Sequence, residues 1–183
     1  MAGSVNPPDL IPGRAIPWSD PLRDSECTVL ELASALGQRG WRLATAESCT
    51  GGLLAACCTA VAGSSTWFER GVVSYSNLAK RELLDVPAAL IEQHGAVSEP
   101  VAAAMALGLL ARTPADLGVS ITGVAGPGGG SADKPVGLVW LGVALRGQPA
   151  RTWRLQCPGD RHAVRSLTVQ QALWQAWRCA QHP

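Results

Sequence analysis

The sequence predicts an α/β protein, a three-layer α/β/α single domain around a mixed, mostly parallel sheet. Two observations predict it: segments with helical spacing alternate with short strand-like segments in the first part of the chain, and two strand-like segments follow one another late. The chain of 183 residues is long enough for one domain with a substantial core, but it is short for two full domains. We therefore expect one domain over residues 25–180, preceded by an arm.

The arm is predicted over residues 1–24, which contain five prolines and few core-type residues. This composition indicates an extended or disordered segment without a catalytic role. From Ser25 the pattern changes, because apolar residues recur at helical spacing as far as Leu36, and Gly40 is a typical helix stop.

The remaining elements are predicted from alternation, apolar periodicity and capping residues. In chain order they are a strand over 41–45, a helix from Leu53 through Val61, a strand over 71–76, a helix capped by Asn77, a short helical segment over 87–93, a helix capped by Ser98, strands over 117–122, 137–145 and 151–157, and a last helix from near Asp160.

Composition excludes several function classes. A net charge of +1 gives no reason to expect nucleic-acid binding, and the longest apolar run, residues 101–110, is too short to span a membrane. The six cysteines contain no CxxC pair and follow no signal peptide, so we interpret them as reduced thiols of a cytoplasmic protein. No carboxylate pair or histidine cluster indicates a metal site.

The stretch 45–52, TAESCTGG, places hydroxyls, a thiol and a carboxylate at a strand-to-helix junction. Ser48 has two interpretations, a helix N-cap, which spacing alone favours, or a nucleophile presented on a sharp turn. Cys49 is the rival nucleophile, since a helix N-terminus would favour its thiolate.

Two further junctions carry chemistry. Tyr75 and Lys80 follow the second strand, and strand ends in such folds gather at one sheet edge, where Ser48 and Lys80 could meet. The sequence leaves open whether Lys80 contacts Ser48. Taken alone, Lys80 is a solvated helix lysine. A loop with five glycines over 123–135 lacks the GxxxxGK[ST] pattern, and is either a mobile surface turn or a cradle of backbone N–H groups for a ligand.

Together these segments resemble the CinA C-terminal domain family, the nicotinamide-nucleotide amidases. The resemblance lies in residues 45–52 (TAESCTGG), 71–77 (GVVSYSN), 95–99 (GAVSE), 122–130 (TGVAGPGGG) with 134–137 (KPVG), and 158–161 (PGDR). It implies an α/β/α domain that hydrolyses nicotinamide mononucleotide to nicotinate mononucleotide and ammonia in pyridine nucleotide recycling. It also implies that neither a metal nor an organic cofactor is needed.

The resemblance further implies a serine and a lysine assisted by a tyrosine, here Ser48, Lys80 and Tyr75. We expect backbone N–H groups of the turn to stabilise the oxyanion of an acyl-transfer intermediate. The residues of that turn are Thr50, Gly51 and Gly52, and the candidates for holding the nucleotide are Gly126, Gly128, Gly129, Gly130, Arg161 and Arg165.

Other functions remain open at this point. The chain is alternatively a non-catalytic nucleotide-binding module, or a regulatory module related to competence or DNA damage. We expect a small nucleotide substrate, no nucleic acid and no membrane as partners. Family members associate, so we expect a homo-oligomer, with Trp174 and Trp177 as candidate interface residues.

Overall fold

A computed structural model describes residues 20–183, which form a five-stranded sheet between two layers of helices. The elements are α1 (Pro21–Asp24), α2 (Glu26–Arg39), β1 (Leu43–Glu47), α3 (Leu53–Thr59), β2 (Phe68–Val73), α4 (Asn77–Leu84), α5 (Ala88–His94), α6 (Glu99–Ala111), β3 (Leu117–Gly123), β4 (Leu138–Leu145), β5 (Arg151–Gln156) and α7 (Arg161–Gln181), with a 3₁₀ turn at Ser64–Thr66 before β2. The predicted three-layer α/β/α class is confirmed.

The strand order across the sheet is β2-β1-β3-β4-β5. Strands β2, β1 and β3 are parallel, while β4 is antiparallel to both of its neighbours, so only β4 of the described strands runs against the others. The sheet is mixed and mostly parallel, as predicted. Its topology places the carboxyl ends of β1, β2 and β3 at the same edge as the start of β4.

The two faces of the sheet bury different side chains because residues alternate along each strand. On one face, branched residues of β1, β3 and β4 pack against α2, α3 and α7. On the other, small residues let α6 approach closely: a Cβ at Gly142 would lie 2.6 Å from the Ala102 carbonyl oxygen, and one at Gly118 would lie 3.0 Å from that of Ala106. Helix α6 in turn packs against α4, the helix that carries Lys80.

The folded domain begins earlier than the sequence predicts. Residues 21–24, assigned to the arm, form α1, whose Pro21 is buried and which contacts α2, α3 and α7. The Asp20 side chain accepts a hydrogen bond from Leu22 N at 3.1 Å, and a proline is well tolerated in a first turn because it loses no intrahelical bond. The prediction for residues 1–19 lies outside the described residues.

Several helices and strands begin or end a few residues away from their predicted boundaries. Strand β1 starts and ends two residues later than predicted, so Glu47 is its last residue. Helix α3 ends at Thr59 rather than Val61, and β2 ends at Val73 rather than Ser76. Ser76, not Asn77, caps α4, because its Oγ accepts from Ala79 N at 3.0 Å.

All six cysteines are free thiols, as predicted, and only Cys27 is exposed. Among residues 20–183, no helix combines the length and the apolar composition that crossing a membrane would require.

Candidate active site

Three chain segments meet at the carboxyl edge of the parallel strands, where they line a cavity of about 300 Å³ together with residues 96–97 and Arg161. Each follows a different strand: one carries Ser48, the second Tyr75 and Lys80, and the third is the glycine loop. The cavity is lined by Ser48, Cys49, Tyr75, Asn77, Lys80, Ala96, Val97, residues 122–126, Gly128, Gly129 and Arg161. The structure therefore brings together the serine and lysine that the sequence placed at separate junctions.

Lys80 is buried, with 1% of its surface exposed, rather than solvated. Its Nζ lies 3.0 Å from Ser48 Oγ, within hydrogen-bonding distance, and donates to two backbone oxygens, those of Ser74 at 2.9 Å and Tyr75 at 3.3 Å. Those carbonyl groups lie in the segment between β2 and α4, so the end of the strand supplies the acceptors and the helix supplies the amine.

The surroundings of Lys80 disfavour its ammonium form relative to a lysine in water. Burial lowers its pKa below the usual lysine value of 10.5, and the neighbouring Cys49 thiol partly opposes this shift. None of the ion pairs found among the described residues includes Lys80. A neutral amine has two N–H groups and one lone pair. When the two carbonyl oxygens accept the N–H groups, the lone pair faces the Ser48 hydroxyl.

Ser48 does not cap helix α3, so the interpretation that spacing alone favoured is wrong. The N-cap position is Gly52, and the first-turn amides are satisfied by the buried carboxylate of Glu47. Its Oε2 accepts from Gly52 N at 3.1 Å and Leu54 N at 3.0 Å, while Oε1 accepts from Ala55 N at 2.9 Å. Sequence reasoning missed this role of Glu47, although an acidic residue before a helix is a recognised signal.

The turn after β1 narrows the choice of oxyanion donors. Gly51 N donates to Ser48 O at 3.0 Å and Gly52 N to Glu47, so neither amide is available to a substrate. Both glycines have positive φ, 59° and 94°, which shows that their role is conformational. Across residues 20–183, the amides of Cys49 and Thr50 donate to no other residue, and these two remain as candidates.

Cys49 is a poor rival to Ser48. Its side chain is buried, and burial raises the pKa of the thiol to about 12. A thiolate is the reactive form of cysteine, and this environment suppresses it at neutral pH.

Tyr75 contacts Lys80 through its backbone oxygen, which any residue could supply. Its side chain is 60% exposed, and its hydroxyl lies 3.4 Å from Arg161 Nη2. Arg161 Nη1 also donates to Gly126 O at 2.9 Å. The first residue of α7 thus links the segment after β2 to the glycine loop.

The glycine loop is anchored at both ends rather than free. Val124 N donates to Leu138 O and Gly137 N donates to Val124 O, each at 2.8 Å. Of the predicted ligand-holding glycines, Gly126, Gly128 and Gly129 line the cavity, whereas Gly130 packs against Val136.

Arg165 does not line this cavity. Its Nη2 donates to Thr50 O at 2.7 Å, so it supports the turn that follows Ser48. It also lines a neighbouring cavity of about 620 Å³ together with Pro127, Val136, Gly159, Asp160, Arg161 and His162. Arg161 is shared by both cavities.

The chain matches known proteins over most of its length. Residues 26–179 match the model of the CinA C-terminal domain. A nicotinamide-nucleotide amidohydrolase PncC of Enterobacter agglomerans is 54% identical over 136 residues, covering 74% of this chain and 83% of the relative. A protein of the same name from Shigella flexneri is 49% identical over 159 residues, covering 86% of this chain and 96% of the relative.

A solved structure agrees with the fold. The crystal structure of a competence-damaged protein (CinA) superfamily protein of Klebsiella pneumoniae superposes with a TM-score of 0.83 at 40% sequence identity, covering 87% of this chain and 99% of that one. Family model, relatives and structure agree with the resemblance in the sequence motifs. This chain belongs to the CinA C-terminal domain family.

Proposed function

We propose that this protein hydrolyses the carboxamide of nicotinamide mononucleotide to nicotinate mononucleotide and ammonia, as part of pyridine nucleotide recycling. The observation that carries the proposal is the contact of 3.0 Å between Lys80 Nζ and Ser48 Oγ, in the cavity that the glycine loop also lines. Relatives about half identical to this chain are named for an activity on nicotinamide nucleotides.

An amide is a poor electrophile, so its hydrolysis needs an activated nucleophile and a proton for the leaving group. Neutral Lys80 removes the Ser48 proton as Oγ attacks the carboxamide carbon. The C–N bond then breaks, the Lys80 ammonium protonates the departing nitrogen, and ammonia leaves an acyl-serine. Water hydrolyses this ester with Lys80 again as the base, which restores the Ser48 hydroxyl.

The negative oxygen of the tetrahedral intermediate requires hydrogen-bond donors that are free before the substrate arrives. We assign this role to the amides of Cys49 and Thr50, since those of Gly51 and Gly52 are used within the turn. Arg165 fixes the turn by holding the Thr50 carbonyl oxygen.

We assign the nucleotide portion of the substrate to the cavity wall formed by the glycine loop and Arg161. Loop backbone at Gly126, Gly128 and Gly129 approaches the cavity without side chains, and Arg161 supplies a cation at its rim. We assign the phosphate to Arg161 and the loop rather than to Arg165, which lines the neighbouring cavity. Tyr75 orients Lys80 through its backbone oxygen and covers the cavity beside Arg161.

A non-catalytic module is the weaker alternative. Burying an ammonium group is costly when no carboxylate pairs with it, and nothing in a purely structural role requires that group to contact a serine. A nucleotide sensor would need the glycine loop to bind its ligand, but it would not need the buried Lys80 amine beside Ser48.

Replacement of Ser48 by Ala, or of Lys80 by Met, is expected to reduce kcat for ammonia release by at least about a thousandfold, since the nucleophile or its base is lost. The matched control is Cys49→Ala, which should keep most activity because the thiol is buried and un-ionised. Ammonia release is measured with nicotinamide mononucleotide, and circular dichroism checks folding. Near-normal turnover in folded Ser48→Ala would exclude the serine mechanism, and loss only in Cys49→Ala would assign the reaction to the thiol.

The protonation of Lys80 is open to direct measurement because the chain has only two lysines, Lys80 and Lys134. In protein labelled with ¹³C at lysine Cε, the signal absent from Lys80→Met belongs to Lys80. We expect it to titrate below the free value of 10.5, because burial disfavours the ammonium form. Activity should rise with pH over the same interval, as the base loses its proton. A Lys80 signal that titrates at or above 10.5 would contradict the neutral-base mechanism.

Removal of the Arg161 side chain is expected to raise KM for nicotinamide mononucleotide by roughly tenfold to a hundredfold, the usual range for one charge-assisted hydrogen bond. The same variant should bind nicotinamide riboside, which lacks the phosphate, almost as well as the parent protein does. Steady-state kinetics and competition experiments measure both. An unchanged KM for the nucleotide would rule out Arg161 as the phosphate anchor.

We also propose that the protein self-associates and acts in the cytoplasm. Free thiols suit a reducing compartment, and the half-buried Trp174 and Trp177 rings stack 4.9 Å apart on α7 as a candidate contact surface. Light scattering at micromolar concentration should give a mass above that of one chain. A single-chain mass at that concentration would refute the association.

A further inference from the structure

Lysine is rare in this protein and is found only near the candidate active site. The sequence has two lysines among its 15 basic residues, so the other 13 are arginines. Lys80 has a chemical reason to be lysine, since an arginine cannot lose its proton in a protein. The reaction proposed above gives no such role to Lys134, which lies near the end of the glycine loop.

The Lys134 side chain joins two segments that are distant in sequence. Its Nζ donates to His94 O at 2.6 Å, across 40 residues of chain. The backbone position of Lys134 is fixed by a turn, in which Ser131 N donates to Lys134 O at 2.9 Å and Lys134 N donates to Ser131 Oγ at 3.1 Å.

Gly95 makes room for this contact. A Cβ at Gly95 would lie 2.5 Å from Lys134 Nζ, closer than real Cβ contacts. Gly95 also has a φ of 73°, a conformation that glycine adopts without strain. The ammonium therefore lies directly against the backbone of residues 94–98, which are the last residue of α5 and the four residues before α6; we call this segment the connector.

Both joined segments line the same cavity. The connector contributes Ala96 and Val97, and the glycine loop contributes Gly126, Gly128 and Gly129. A second bond, from Thr122 Oγ1 to Ala96 O at 2.8 Å, ties the connector to the end of β3. Lys134 itself does not line the cavity, so it acts on the cavity through the two segments that it joins.

We propose that Lys134 is a positioning residue: its ammonium group holds the glycine loop against the connector over residues 94–98 and so sets the width of the substrate cavity. The contact exists without substrate, whereas its effect on kinetics rests on the function proposed above. A cation bonded to a carbonyl oxygen is a stronger tether than a neutral hydrogen bond.

The first test follows loop closure without any substrate. Hydrogen exchange by mass spectrometry compares the parent protein with Lys134→Met, which keeps the length and apolar part of the side chain but removes the charge and donors. Exchange should become faster in residues 94–98 and 123–136. Should that variant not fold, Lys134→Gln removes the charge with a polar side chain in its place. Unchanged exchange in both segments of a folded variant would overturn the proposal.

The matched control is Arg146→Met. Arg146 is more exposed than Lys134, but it is likewise a cation bonded to backbone oxygens, those of Leu110 and Ala115 at 3.0 Å, and it follows β4 at the opposite edge of the sheet. Its removal should leave exchange in residues 94–98 and 123–136 unchanged. Equal acceleration there by both variants would show a general loss of stability and would overturn a specific tether.

The second test separates positioning from direct binding. With a looser cavity, KM for nicotinamide mononucleotide should rise by roughly tenfold in Lys134→Met, while kcat stays within about twofold. The KM or inhibition constant of nicotinamide riboside, measured as a substrate or a competitive inhibitor, should rise by the same factor. If KM rises for the mononucleotide but the constant for the riboside does not change, Lys134 binds the phosphate directly, and the proposal is overturned. Absence of ammonia release from the parent protein would instead refute the proposed function and leave the exchange result valid.

Discussion

The structure of this site depends on one constraint, an amine withdrawn from water and held within hydrogen-bonding distance of a serine hydroxyl. Burial lowers the pKa of Lys80, and the fold must nevertheless satisfy its N–H groups, which the backbone at Ser74 and Tyr75 does. Backbone carbonyl oxygens are suited to this, because they accept hydrogen bonds without carrying the full charge that would stabilise the ammonium form. The parallel pairing of β1 with β2 then places Ser48 opposite, since both strands end at the same edge.

A buried carboxylate, that of Glu47, precedes the serine in the chain and forms no ion pair with the Lys80 amine. Glu47 is adjacent to Ser48, yet its two oxygens accept three backbone N–H groups at the start of α3. Its charge therefore stabilises the helix end, where the backbone dipole favours an anion. The same bonds fix the turn that presents Ser48 and use the Gly52 amide, so the Glu47 side chain both positions the proposed nucleophile and helps to determine which amides of the turn remain free.

Much of this arrangement could be predicted from the sequence, because apolar periodicity and strand alternation reflect the burial that shapes the layers. The meeting of Ser48 with Lys80 follows from the rule that parallel strands end together. What could not be predicted depends on side-chain direction. Glu47 is the last residue of a strand that the sequence predicts to end at residue 45, so the pattern places Glu47 in the turn and does not indicate that its carboxylate reaches the first amides of α3. The hydroxyl of Tyr75 contacts Arg161, 86 residues away, which no local pattern reveals.

The hydrogen bonds between Val124 and the start of β4 have a consequence for the evolution of such a protein. Because they close the base of the glycine loop, the residues between form a segment whose ends lie side by side, attached to the rigid sheet. Doubling the length of a flexible loop costs only about 0.6 kcal/mol in closure entropy. Ser48 and Lys80, the proposed nucleophile and base, lie on other segments. Under the proposed function, insertions or exchanges within this loop would alter which part of the amide substrate is recognised and would leave the contact between Ser48 and Lys80 in place.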